Sequence, residues 1–104
     1  MTILGTGTSE VLVGTAGNDV IAGMGGADKI NAGGGNDIVC GGPGNDRIKG
    51  GGGNDILLGQ RGRDTLIGGR GNDLLNAGVG KRETCNGGGG EDIAKGCESK
   101  KHVP

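Results

Sequence analysis

Aliphatic residues recur along this chain in short triplets, and a polar, glycine-rich run of six residues separates each triplet from the next. Leu12, Ile21, Ile30, Val39, Ile48, Leu57, Leu66 and Leu75 follow one another at intervals of nine without a break. An amphipathic helix needs apolar positions three and four apart, so this period argues against helix. The triplets VIA, IVC, ILL, TLI and LLN are strand-prone and very short. Runs such as GGPGND carry the residues that tight turns require. The predicted element is therefore a three-residue strand followed by a six-residue turn. A chain of such units winds as a solenoid of strand, turn, strand, turn. One coil takes two repeats, so repeat n stacks on repeat n+2.

The polar positions keep the same phase. In nines the chain reads GTAGNDVIA, GMGGADKIN, AGGGNDIVC, GGPGNDRIK, GGGGNDILL, GQRGRDTLI and GGRGNDLLN from Gly14 onward. Gly stands at the fourth place, Asp at the sixth and an aliphatic residue at the eighth. Asp19, Asp28, Asp37, Asp46, Asp55, Asp64, Asp73 and Asp92 are all the Asp in the protein. Two weaker units flank the regular ones. GTGTSEVLV carries Glu10 in the Asp place, and AGVGKRETCN has one extra residue near Lys81 and Arg82, which puts Glu83 at the sixth place and Cys85 at the eighth. Residues 5–96 are read as one roll and residues 97–104 as a cap or tail. The expected inward residues are Leu12, Ile21, Ile30, Val39, Ile48, Leu57, Leu66, Leu75, Cys85 and Ala94. The outward ones make two unlike faces. One carries the apolar ladder Val20–Ile38–Ile56–Leu74–Ile93, the other the basic residues Lys29, Arg47 and Lys49.

Composition narrows the function. With 29 Gly and no Phe, Tyr or Trp, the chain buries little and loses much backbone entropy on ordering, as disordered and fibrous chains do. Gly does not recur every third residue, which excludes collagen. A net charge of −1 and the missing aromatics give no reason to expect a nucleic-acid partner. No apolar run is long enough to span a membrane. The GxGxxG matches follow from glycine content and precede no helix, so a nucleotide site is not expected. His102 is the only His and lies in the tail. No Ser/His/Asp or Cys/His set is present, and the chain is not expected to be an enzyme.

The nonapeptide units resemble the RTX (repeats-in-toxin, haemolysin-type) calcium-binding family, whose unit is G-G-x-G-x-D-x-U-x with U a large aliphatic residue. The resemblance covers residues 5–96. It implies an all-β fold: a right-handed parallel β-roll (β-solenoid) with two nine-residue repeats per coil and two short-stranded parallel sheets. It also implies a secreted, extracellular bacterial protein. The N-terminus lacks a basic region and an apolar signal core, and the ending CESKKHVP does not look like the family's C-terminal export signal.

The chemistry points to calcium by an independent route. Stacked strands lie about 4.8 Å apart, so identical turns place their Asp carboxylates in a column. Neighbouring charges at ~5 Å repel by roughly 3 kcal/mol at an effective dielectric of about 20. A divalent cation between turns reverses that sign. Carboxylate and turn-carbonyl oxygens, with no His or Cys cage, suit a hard ion, and Ca²⁺ tolerates irregular oxygen shells better than Mg²⁺. The resemblance implies that each ion sits between turns n and n+2, held by an Asp from each and by turn carbonyls. Gaps 19/37, 37/55, 55/73, 73/92, 28/46 and 46/64 then have Asp on both sides, while 10/28 and 64/83 pair Asp with Glu. About six to eight Ca²⁺ ions are expected. The expected metal residues are the eight Asp, with Gly17, Gly26, Gly35, Gly44, Gly53, Gly62 and Gly71 and with Asn18, Asn36, Asn45, Asn54 and Asn72.

Cys85 and Cys97 bracket the last unit, and the family-like ending ETCNGGGGEDIAKGCE implies a disulfide-capped end; two separate small residues are the alternative. Cys40, at an outward place, is expected to be a free thiol. The leading expectation is a calcium-dependent extracellular folding module. The alternative is a calcium-stabilised binding module for anionic polysaccharide or a cell surface. Self-association or docking to a neighbouring domain through the apolar sheet is expected as well. Ice binding would need a regular row of Thr or Asn, which Ala16, Gly25, Gly34, Pro43, Gly52, Arg61 and Arg70 do not provide.

Overall fold

The computed structural model describes residues 2–78, 84–97 and 99–101. It contains twelve strands of three residues each: β1 Thr2–Leu4, β2 Val11–Val13, β3 Val20–Ala22, β4 Lys29–Asn31, β5 Ile38–Cys40, β6 Arg47–Lys49, β7 Ile56–Leu58, β8 Thr65–Ile67, β9 Leu74–Asn76, β10 Thr84–Asn86, β11 Ile93–Lys95 and β12 Ser99–Lys101. No helix occurs among the described residues. The odd strands form one parallel sheet in the order β1-β3-β5-β7-β9-β11, the even strands the other. Successive coils pair in register, with Ile21 opposite Val39 and Ile30 opposite Ile48. This is the parallel β-roll that the nine-residue period predicts. Past the extra residue, Leu66 faces Cys85 and Leu75 faces Ala94, so the coil absorbs the insertion without losing phase.

Each strand is three residues long because only its middle residue points inward. Successive side chains alternate between faces, and the strands are exposed, buried, exposed along β4 and β6. Ile21, Ile30, Val39, Ile48, Leu57, Leu66, Leu75 and Cys85 form the buried core. Leu12 and Ala94, at its ends, pack against it only partly buried. These are the ten expected inward residues. Ala32 and Ala77, at the first place of their units, are also fully buried. They extend the same alternation into the turn, which a reading confined to the triplets misses. The core is one side-chain layer between two sheets, and the molecule is a slab of 34 × 32 × 13 Å.

The sheets continue past both limits expected for the roll. β1 pairs with β3, and Ile3 stands nine residues before Leu12, in phase with the core. β12 lies in the segment expected to be a cap or tail and pairs with β10, Cys85 standing opposite Lys100. The Cys85–Cys97 disulfide ties that last turn to the buried Cys85, with Cα atoms 5.9 Å apart. Cys40 is free and half-buried on the outer face of β5. On that face Val20, Ile38, Ile56 and Ile93 are exposed, whereas Leu74 is half-buried.

Candidate metal centre

The sixth place of each unit sits where the turn enters its strand. Two residues before the inward aliphatic, it faces inward too, and all eight Asp are at most 3% exposed. The backbone holds each carboxylate from one side. The N–H of Asp19 donates to Asp37 Oδ1 at 2.8 Å, that of Asp37 to Asp55 Oδ1 at 2.9 Å, and that of Asp55 to Asp73 Oδ1 at 2.8 Å. On the other edge Asp28 N donates to Asp46 Oδ1 and Asp46 N to Asp64 Oδ1, both at 2.9 Å. The Asp carbonyls accept in turn from the strand of the next coil, as Ile56 N does to Asp37 O at 2.8 Å. The two columns of carboxylates are thus fixed in orientation.

The second oxygen is treated differently. Oδ2 of Asp28, Asp37, Asp46, Asp55, Asp73 and Asp92 is buried and has no hydrogen-bond partner. Leaving a buried polar atom unsatisfied costs about 1–3 kcal/mol, more when it is charged. A carbonyl oxygen of the following coil converges on the same space. A methyl group added at Gly23 would lie 2.7 Å from Asp28 Oδ2 and 2.9 Å from Gly41 O. At Gly50 the corresponding distances are 2.6 Å to Asp55 Oδ2 and 2.8 Å to Gly68 O. At Gly68 they are 2.5 Å to Asp73 Oδ2 and 2.8 Å to Gly87 O. Each cradle therefore gathers acceptors without a donor.

The electrostatics follow. Burial pushes Asp46 and Asp55 up to about 7 and Asp73 to about 6. The N–H bonds from Asp28, Asp37 and Asp55 oppose that rise, and the charges of neighbouring Asp add to it. Asp37 is raised as well, burial again being the first cause. Asp19 is lowered instead, chiefly by the N–H of Thr15. Asp37, Asp46, Asp55 and Asp73 resist ionisation unless a positive charge joins them. Among the described residues no three His, Cys, Asp or Glu side chains gather about one point. An ion here would take one or two carboxylate oxygens per step and complete its shell with backbone carbonyls. That all-oxygen donor set fits Ca²⁺.

The residues singled out in the sequence do not all meet at the cradles. The side chains of Asn18, Asn36, Asn45, Asn54 and Asn72 are exposed and form ladders of their own. Asn18 Oδ1 accepts from Asn36 N, Asn36 Oδ1 from Asn54 N, and Asn54 Oδ1 from Asn72 N, each at 2.8 Å. Asn45 Oδ1 accepts from Arg63 N at 2.8 Å. These amides set the pitch of the coil beside the carboxylate columns. Gly26, Gly35, Gly44, Gly53, Gly62 and Gly71 have left-handed backbones with φ between 81° and 107°, whereas Gly17 does not. Thr6 and Thr15, which the sequence reading passed over, bond directly to carboxylates. The signal for them was Thr at the second place, where most units have Gly. Lys81, Arg82, Glu83 and His102 lie outside the described residues, and with them the 64/83 gap.

A family model for the RTX calcium-binding nonapeptide repeat matches this chain in four copies, over residues 4–39 and 41–75. Comparison with curated proteins and with solved structures returned no match. The family match ends just ahead of the unit that carries the extra residue. It covers more than half of the chain, in the register that the coils, the buried Asp and the glycine turns define independently, and so this chain belongs to the RTX calcium-binding nonapeptide-repeat family.

Proposed function

We propose that this chain is a calcium-dependent folding module of a secreted bacterial protein, unfolded where calcium is scarce and ordered outside the cell. Its role on this reading is structural rather than catalytic. The observation that carries it is the row of buried, unpartnered Oδ2 atoms, of which those of Asp28, Asp46, Asp55 and Asp73 face a carbonyl of the next coil. Asp28, Asp37, Asp46, Asp55, Asp64 and Asp73, with turn carbonyls, would hold about six to eight ions together with the end sites. The core is thin, so cation binding and folding become one reaction. Far-UV spectra and the hydrodynamic radius, with and without millimolar calcium, test this. The chelated chain should lose its strand signal and expand, and calcium should restore both. An unchanged spectrum in chelator would sink the proposal.

A second reading is favoured by the even sheet. A concavity of ≈ 410 Å³ on its face is lined by Val11, Lys29, Asn31, Arg47, Lys49 and Ile67. Three cations on two adjacent strands suit an anionic polysaccharide or cell surface. Retention of the calcium-loaded chain on a polyuronate resin, lost when all three become Gln, would support it. The opposite sheet, with Val20, Ile38 and Ile56 exposed on consecutive strands, suits self-association or a neighbouring domain. Sedimentation of the folded chain as a monomer at high concentration would exclude self-association.

A further inference from the structure

The turns of this roll are of two kinds. Among the described residues from the turn that leads into Asp28 onward, the second and fourth places are left-handed, as at Met24 (φ 68°) with Gly26 (φ 88°) and at Gly42 (φ 86°) with Gly44 (φ 107°). In the two turns before it, Thr6, Thr8, Thr15 and Gly17 do not have left-handed backbones. There the second place is Thr, and its N–H turns inward. Thr6 N donates to Glu10 Oε1 at 2.6 Å and Thr15 N to Asp19 Oδ2 at 2.7 Å. Thr15 Oγ1 donates to Asp19 Oδ1 at 2.8 Å, and the same hydroxyl accepts from Gly17 N at 3.1 Å. Thr6 repeats the last contact, its Oγ1 accepting from Thr8 N at 3.3 Å. A peptide unit is planar and trans, so once the Thr15 N–H faces the carboxylate, the Gly14 carbonyl on the same unit points away from it.

We infer that Thr6 and Thr15 take the place of the cation in the first coil. Glu10 and Asp19 are then structural carboxylates, the 10/28 and 19/37 gaps hold no ion, and calcium loads only from Asp28 and Asp37 onward. This rests on the calcium reading above and corrects its list of ligands. Asp19 and Asp28 show the contrast. Both are buried, but the Oδ2 of Asp19 receives an N–H where that of Asp28 has no partner. Charge-assisted bonds from an N–H and an O–H satisfy a carboxylate without an ion, and their hydrogens point into the space a cation would need. The first coil is thereby complete before any metal arrives. It presents β3 as a finished edge on which the calcium-dependent coils can stack.

The test counts ions on the full chain by native mass spectrometry in saturating calcium, with far-UV spectra as the fold control. Asp19→Asn should leave the count unchanged, while Asp55→Asn should lower it by at least one. Thr15→Gly converts GTAGND to GGAGND, the pattern of the calcium turns, and should add one ion. Thr15→Ser keeps both donors and should add none. If Asp19→Asn loses as many ions as Asp55→Asn, or if folded Thr15→Gly gains none, the inference is overturned and the calcium reading survives. If Thr15→Gly does not fold, the Asp19 and Asp55 pair decides alone. If no variant, nor the unaltered chain, binds calcium, the calcium reading falls and this inference with it.

Discussion

Asp19 and Asp55 occupy the same place in the repeat, on the same edge of the roll, and both are buried. Their chemistry is opposite. Asp19 is held below the usual carboxylate range, with the Thr15 N–H as the largest cause. Burial pushes Asp55 up to about 7, and the N–H of Asp37 offsets this only in part. The difference lies four residues upstream. Thr15 turns its N–H and hydroxyl onto its carboxylate, whereas Gly51 stands left-handed (φ 88°) and Asp55 Oδ2 has no partner. A buried carboxylate in this fold therefore has two routes to satisfaction. A donor from its own turn makes local structure unconditional, and a cation from solution makes it conditional. On the reading proposed above, the first coil takes the first route and the middle coils the second. The C-terminal end takes a third, a covalent one, through Cys85 and Cys97.

The largest expected effect tests that third route. Cys97→Ser removes a cross-link between residues 12 apart and should cost about 3 kcal/mol by loop entropy. Cys40→Ser, on an outer face, should cost little. Urea unfolding in saturating calcium measures both, and equal midpoints would mean that the covalent end does not stabilise the roll. Next come the middle coils. Asp46→Ala and Asp55→Ala should each raise the calcium needed for folding about tenfold, ~1.4 kcal/mol. Glu10→Ala should shift it less than about twofold, its turn needing no ion. Indistinguishable calcium titrations for the three variants would erase the distinction between first and middle coils.

Mild acid sharpens the same contrast. Asp46 and Asp55 at about 7 and Asp73 at about 6 bind protons more tightly in the roll than in the unfolded chain, where 3.8 applies. Between pH ~4 and ~7 the folded state then carries the extra protons, and stability without calcium must rise as pH falls through that window. Calcium binding should weaken over the same window, since proton and ion compete for one oxygen. Asp19 has the reverse sign, its contribution being present at neutral pH and lost only on acidification below about 4. The hydrodynamic radius of the chelated chain at pH 5 and pH 8 decides this, and no compaction at pH 5 would contradict it. The smallest effect concerns backbone strain. Gln60 is left-handed (φ 71°) where other middle turns have Gly. Gln60→Gly relieves about 1–2 kcal/mol of strain against ~0.5–1 kcal/mol of added chain entropy. The calcium midpoint should fall slightly, and a rise would show that Gln60 contributes packing that its exposure does not suggest.

Much of the roll was legible in the chain because a strict nine-residue period ties sequence place to spatial place. Ile21, Val39 and Leu57 had to share one side of a strand and stack at the coil pitch. The extra residue after Ala77 had to fall between strands, and the pairing of Leu66 with Cys85 shows the next strand back in phase. The eight Asp had to form columns, and those columns called for a hard cation. What the turns do with their hydrogen bonds was decided only by stacking. The carboxylates of Asp28, Asp37, Asp46, Asp55, Asp73 and Asp92 are each divided between a backbone N–H of the coil before and an open cradle. The Asn side chains leave the cradle for ladders of their own, and Ala32 and Ala77 join the core. Those contacts join residues a whole coil apart, so composition alone cannot choose among them. Peptide orientation at the second place depends on both the residue there and the oxygen stacked against it, and it separates Thr15, whose carboxylate partner is satisfied, from Gly51, whose carboxylate partner keeps one buried oxygen without a hydrogen bond.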